Sequence, residues 1–509
     1  MGRVRGRRSI VAVATIFGLA FLGSPVRAAG ESYVVTSLAD TTADDGACTL
    51  REAILAANNA AANDDCGPAS PNDDTITFFV SGTITLGSTL PSIAGGGLTI
   101  DGSGAITVSG GGTVRVLETD PDADVTLLNI TISGGYEDFG GGILNDGVLL
   151  VIGSTISGNE VVGEGGGKGG GIFNTGRLTV ADSTISDNVA SGQGSQGGGI
   201  YNAGGEVTVI DSTISGNAAT DLGSGGGIYN DGGTVVVMNS TISRNSATSS
   251  GGGIDADRTV TVINSTISGN EVTYTYARGG GIAFRSGSLM IIHATIAFNR
   301  VSGDEATDAG ISPLDNTSGV FFKNSIVALN QGGQNCSYAP MSTSGTNFAT
   351  DDSCFGFTQV TAAALNLGSL AANGGPTLTH ALQSGSVAID AASDCTLPNG
   401  APVTTDQRRV ARPQDGDGDS SAACDVGAYE VEAAAAASPS PSPAASPSAS
   451  PAGTATAPVT PPATDATRLA ASTESSLLVA GLIVLAAVAL GVGFLVPTWA
   501  RRVRPARRR

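Results

Sequence analysis

Apolar and polar residues alternate along most of this chain, in short runs broken by Gly and Asn. In Thr234-Val-Val-Val-Met-Asn-Ser-Thr-Ile242 the inward candidates are Val235, Val237 and Ile242. This is the period-2 pattern of a strand with one buried face. The apolar residues are mostly β-branched, which fits strands better than helices. The runs also recur. A Gly-Gly-Gly-Ile segment places its Ile at 143, 172, 200, 228, 254 and 282, with a worn copy ending at Ile311. The spacings are 29, 28, 28, 26, 28 and 29 residues. A Ser-Thr-Ile-Ser segment recurs with it, centred on Ile132, Ile156, Ile185, Ile214, Ile242, Ile267, Ile296 and Val327. A fixed period of this size means stacked supersecondary units. The pattern predicts an all-β fold, a right-handed parallel β-helix over 75–330 with one coil per repeat.

The flanks follow other rules. Arg3, Arg5, Arg7 and Arg8 precede an apolar run from Ile10 to Leu22 and a small-residue site at Val26-Arg27-Ala28, so 1–28 reads as a signal peptide. Within 29–74, Thr49 and Glu52 have capping-box spacing, and Leu50 and Ile54 lie one turn apart. A short helix there would lid the open end of the solenoid, where strand edges are otherwise unpaired. Residues 331–432 form a separate Cys-containing region. The Ala/Ser/Pro/Thr stretch over 433–475 cannot bury a core and reads as an extended linker. Leu477 to Trp499 is apolar and uncharged over 23 residues, long enough to span a bilayer, so 476–499 is expected to be a transmembrane helix. The Arg-rich tail over 500–509 then sits in the cytoplasm and the β-helix outside the cell.

Composition narrows the partners. Residues 29–475 hold all 45 acidic residues but only 14 Lys and Arg, a net charge of −31. Such a surface argues against nucleic acid and repels anionic polymers. The six Cys fall in three neighbouring pairs, and export favours the disulfides Cys48–Cys66, Cys336–Cys354 and Cys395–Cys424 among 15 connectivities; free buried thiols are the alternative.

Several stretches resemble known families. Cys48-Thr-Leu-Arg-Glu-Ala-Ile54 is similar to the CSLREAI motif of bacterial exported proteins, with Thr49 in place of Ser. Asn373-Gly-Gly-Pro-Thr377, Ala388-Ile-Asp390, Asp406-Gln-Arg408, Arg412-Pro413 and Cys424-Asp-Val-Gly-Ala-Tyr-Glu430 follow one another as in the "choice-of-anchor Q" domain. That resemblance implies a position just upstream of a surface anchor. The Gly-Gly-Gly-Ile and Asn pattern resembles polymorphic outer membrane protein repeats, and the whole resembles the pectate-lyase-like fold.

Stacking aligns equivalent residues in ladders about 4.8 Å apart. One is Asn159, Asn188, Asn217, Asn245, Asn270, Asn299 and Asn330, read as a structural amide ladder in a left-handed turn. A second is Asn129, Gly153, Asp182, Asp211, Asn239, Asn264, His293 and Asn324. In it Asp182 and Asp211 are either solvated turn residues, a pair needing a proton or a bridging cation, or carboxylates for glycoside hydrolysis. The third follows the Gly-Gly-Gly-Ile: Leu144, Phe173, Tyr201 and Tyr229. Alternation sends these outward, where they either stack on sugar rings or pack under a neighbouring loop. Return loops of uneven length, such as 160–168 and 274–278, gather on one face, often the binding face of repeat proteins. Asp415, Asp417 and Asp419 alternate in a Gly-rich loop and suit Ca²⁺, or form a solvated acidic loop.

Catalytic inventory is thin. His293 and His380 are the two histidines, no nucleophile elbow stands out, and Lys168, Arg177, Arg244 and Arg285 look scattered. The expectation is a non-enzymatic, membrane-anchored surface protein for adhesion or carbohydrate binding. A polysaccharide lyase or glycoside hydrolase, or a purely structural coat, are the competing readings.

Overall fold

The computed structural model describes residues 29–58, 65–68, 73–314, 319–337 and 341–433. The expected signal peptide, the linker beyond residue 433, the apolar span and the basic tail lie outside them. Among the described residues, no helix is long and apolar enough to cross a membrane.

The chain winds as an all-β, right-handed parallel solenoid of three sheets: a long sheet of 22 strands, a glycine-flanked sheet of eight and a short sheet of seven. One coil shows the plan. Ile172–Asn174 lies in the glycine-flanked sheet, Arg177–Ala181 and Thr184–Ser186 in the long sheet, and Val189–Ser191 in the short sheet. Successive coils pair in parallel without slippage, so Ile143, Ile172, Ile200, Ile228, Ile254, Ile282 and Ile311 stack in one column. All seven are fully buried. Each such side chain contributes about 1.5–3 kcal/mol of burial, and the column fixes the register because a one-residue slip would turn it outward.

The three Gly before each Ile mark close approach rather than flexibility. A Cβ on Gly170 would lie 2.5 Å from Gly198 O in the next coil, and one on Gly199 would lie 2.6 Å from Gly227 O.

The expected amide ladder is present. Asn159, Asn188, Asn217, Asn245, Asn270, Asn299 and Asn330 each donate Nδ2–H to the Oδ1 of the next, at 2.8–3.0 Å, and Asn330 donates to Asn335. Its backbone is not left-handed as expected. The positive φ falls one residue earlier, at Gly158, Asp187, Gly216, Arg244, Gly269, Phe298 and Leu329. The Asn side chain must point inward to reach its neighbours, so the chain reverses just before it. The second ladder, Asn129 to Asn324, is wholly left-handed, with φ between 47° and 57°. A further buried ladder, Asn145–Asn174–Asn202–Asn230, has Nδ2–Oδ1 distances of 2.6, 2.8 and 2.8 Å and was not anticipated.

The N-terminal lid forms as expected. Helix Leu50–Ala57 starts in a capping box: Thr49 N–H donates to Glu52 Oε2 at 2.9 Å, and Glu52 N–H donates to Thr49 Oγ1 at 3.3 Å. Leu50, Ala53 and Ile54 are buried in the core. The three anticipated disulfides, Cys48–Cys66, Cys336–Cys354 and Cys395–Cys424, are all formed. The long sheet runs on past Asn330 through Ser342–Ser344, Phe348–Ala349 and Thr358–Gln359. The chain from there to residue 433 turns back and lies along the flank of the solenoid, over the second ladder. Asp394 pairs with Lys323 at 2.8 Å, Thr405 O accepts from Asn264 Nδ2 at 2.8 Å, and Thr377 Oγ1 donates to Asn239 O at 3.2 Å.

Candidate functional site

The outward row of the glycine-flanked sheet gathers the most chemistry. Strand register sets Phe173 beside Tyr201 and Tyr201 beside Tyr229. Their ring centroids are 5.1 and 5.6 Å apart, nearly parallel, and Phe139 meets Phe173 edge-on at 5.6 Å. This stacking corrects the expectation of an exposed strip. Tyr201 is 2% exposed and Tyr229 5%, whereas Phe173 is half-buried and Phe139 exposed. In-register rings turn their faces to one another, so only the ends of the stack and the ring edges remain accessible.

Beyond Tyr229 the row continues with Asp255. Arg285, from the turn of the next coil, folds back over it. Its Nη1 donates to Asp255, to Asp257 Oδ1 at 2.9 Å and to Tyr229 OH at 3.4 Å. Tyr201 OH donates to Asp231 Oδ2 at 2.5 Å, and Lys168 Nζ lies 3.1 Å from the same hydroxyl. Lys168 and Arg285 are therefore not scattered: they lie across the rings of Tyr201 and Tyr229 at 4.8 and 5.9 Å. Burial raises the pKa of both phenols, with Asp231 adding to the shift at Tyr201 and Asp255 at Tyr229, so each remains a hydroxyl. Burial also raises the fully buried Asp255 carboxyl, while the Arg285 cation pulls it down. The result is a fixed array of donors and acceptors over five coils, flanked by an accessible aromatic end.

The other sequence candidates resolve differently. Asp182 and Asp211 are bridged by a cation, as one reading required: Arg409 Nη2 lies 2.9 Å from Asp182 and 3.2 Å from Asp211. One guanidinium thus engages both carboxylates. In the acidic loop, Asp415 and Asp417 cluster with Asp390, within 4.8 Å, and Asp419 stays apart. These carboxylates already accept backbone N–H groups: Asp390 from Gly416 at 2.9 Å, Asp415 from Gly418 at 2.8 Å and Asp417 from Asp419 at 3.0 Å.

No family model matches the chain, and no curated protein matches it. Among solved structures, the crystal structure of pectate lyase Pel9A aligns over 80% of this chain and 97% of that one, at 13% identity and a TM-score of 0.37. A likeness of that size carries no argument about activity.

The "choice-of-anchor Q"-like residues serve docking. Gln407 Nε2 donates to Thr241 Oγ1 at 2.9 Å and Thr377 Oγ1 at 2.8 Å, and its Oε1 accepts from Thr266 Oγ1 at 2.7 Å. Arg408 pairs with Asp406 at 2.8 Å, and Arg412 with Glu430 at 3.2 Å, all four nearly or fully buried.

Proposed function

We propose that this chain is an exported, membrane-anchored surface protein that binds carbohydrate, in adhesion rather than in degradation, through the Phe139–Arg285 row. The observation that carries the reading is the coincidence of accessible rings at Phe139 and Phe173 with the polar array of Lys168, Asp231, Asp257 and Arg285. Aromatic surface with a few fixed polar groups suits a sugar, whose ring has apolar faces and hydroxyl edges. The net charge of −31 over residues 29–475 favours a neutral glycan over a polyanion. The CSLREAI-like and anchor-like stretches, with the apolar run before the Arg-rich tail, support display outside the cell.

A glycan array on the full chain tests this. A Phe139→Ala, Phe173→Ala double variant is expected to bind its best neutral glycan about tenfold more weakly, a loss of about 1.4 kcal/mol. Unchanged binding refutes the site. Release of unsaturated or reducing ends that stops in Asp255→Asn would replace this reading with the lyase or hydrolase one.

A further inference from the structure

A second constellation lies where the folded-back segment meets the solenoid, away from the aromatic row. The segment's antiparallel pair, Leu367–Ala371 with Thr379–Leu382, roofs a cavity of about 300 Å³ over the outer face of the long sheet. Ser268, His380, Phe298, Leu370 and Arg244 line it. Ser268 Oγ lies 2.8 Å from His380 Nε2, and His380 Nδ1 lies 2.8 Å from Gly368 O. A carbonyl only accepts, so Nδ1 carries the proton of the neutral imidazole and Nε2 is left to accept from the serine. Phe298 packs on the imidazole, with centroids 4.9 Å apart, and holds the ring in that orientation. Burial favours the neutral ring, the form a general base needs.

The repeat makes this serine distinctive. Ser157, Ser186 and Ser215 hold the equivalent position in earlier coils and are half-buried. Ser243, the next in the row, is buried and its Oγ has no hydrogen-bond partner. Ser268 alone in this row, among the described residues, meets a histidine. A serine, a base within hydrogen-bond reach and a group orienting that base form the minimal arrangement for nucleophilic catalysis. Arg244, exposed, adds a cation to the lining, suited to charge developing on a carbonyl oxygen.

We propose that Ser268 and His380 form a catalytic dyad that hydrolyses short-chain carboxylic esters, of acetyl-group size and its near homologues. Ser268 Oγ attacks the carbonyl carbon as its proton passes to His380 Nε2. The bond to the alcohol oxygen breaks, and that oxygen takes the proton from Nε2. Water then attacks the acyl-serine and gives its proton to Nε2. The carboxylic acid leaves and Ser268 recovers its hydrogen, so ester and water become acid and alcohol. This activity goes beyond glycan binding by the aromatic row and stands apart from it.

The test is phosphonylation and turnover by the purified full chain. A fluorophosphonate probe is expected to modify Ser268, located by peptide mapping, and p-nitrophenyl acetate to be hydrolysed faster than the octanoate. Ser268→Ala is expected to abolish both while the chain stays folded by circular dichroism. His380→Gln is expected to slow turnover by about 100-fold or more. No adduct at Ser268, or wild-type turnover in Ser268→Ala, overturns the proposal. Because both substitutions break the same Ser268–His380 contact between segment and solenoid, the mapped adduct on the wild-type chain decides.

Discussion

His293 occupies a turn position that the neighbouring coils fill with Asn264 and Asn324, and it does so fully buried at φ 48°. Burial, then the Arg412 and Lys323 cations, push its pKa down to about 3, against the pull of Asp394 and of a backbone hydrogen bond at Asp425. An unfolded histidine takes up its proton near pH 6.5. As pH falls from there towards 3, the folded state therefore loses up to about 1.4 kcal/mol per unit through this group. Glu430 and Asp425, pushed up mainly by burial to about 7 and about 6, act in the opposite sense. They hold protons the unfolded chain has released, so their contribution declines as pH rises towards 7. Both remain in a His293→Asn variant. That variant, with the residue usual in this row, is expected to unfold at lower pH than wild type in an acid titration followed by circular dichroism. Equal midpoints would mean that His293 is charged in the folded chain. The amide ladder was legible because Asn recurs in it without exception from Asn159 to Asn330. The left-handed position beside it was not, because Gly, Asp, Arg, Phe and Leu all occupy it and only Gly advertises positive φ.

Elements built from local pattern were the most legible. Strand positions, the capping box at Thr49 and the Cys pairs depend on near neighbours. Burial of the Ser-Thr-Ile-Ser strands did not follow from their spelling. Thr184 and Thr213 are half-buried, whereas Thr241, Thr266 and Thr295 are buried. The difference comes from cover far downstream: Thr241 Oγ1 donates to Leu378 O, 137 residues away. Gln407 is the centre of this cover. Gln407→Ala leaves the Thr241, Thr266 and Thr377 hydroxyls short of partners, at a cost of about 2–4 kcal/mol. Hydrogen exchange is expected to rise at 241–243 and 266–268 and to stay unchanged at 184–186. Unchanged protection throughout would show that the segment is held by its other contacts. In the candidate site the aromatic row was legible through its period. Asp231, Asp257 and Arg285 were not, since they lie in the turn after the row, where each coil is spelled differently.

Across the whole molecule, the folded-back segment touches the second ladder at step after step. Asp394 O accepts from Asn324 Nδ2 at 2.7 Å, Arg412 reaches His293 and Asn264 at 3.4 Å, and Thr377 reaches Asn239 at 3.2 Å. Arg409 ends the series on Asp211 and Asp182. Six coils are thus gauged by one strip of chain, which works as a measuring tape laid against the solenoid. Repeat proteins ordinarily gain or lose units freely, since each contacts only its neighbours. Here that freedom is confined. Excising one coil between Asp182 and Asn324, such as residues 212–239, is expected to shift Arg409 off its two carboxylates and to lower the melting temperature. Excising a coil-length unit upstream of Asp182, such as residues 154–182 with Asp182 rebuilt at Gly153, keeps every mark on the tape aligned and is expected to be tolerated better. Comparable losses in the two deletions would show that the segment measures nothing. Coil number in this architecture is therefore free to vary on the N-terminal side and held to count on the other.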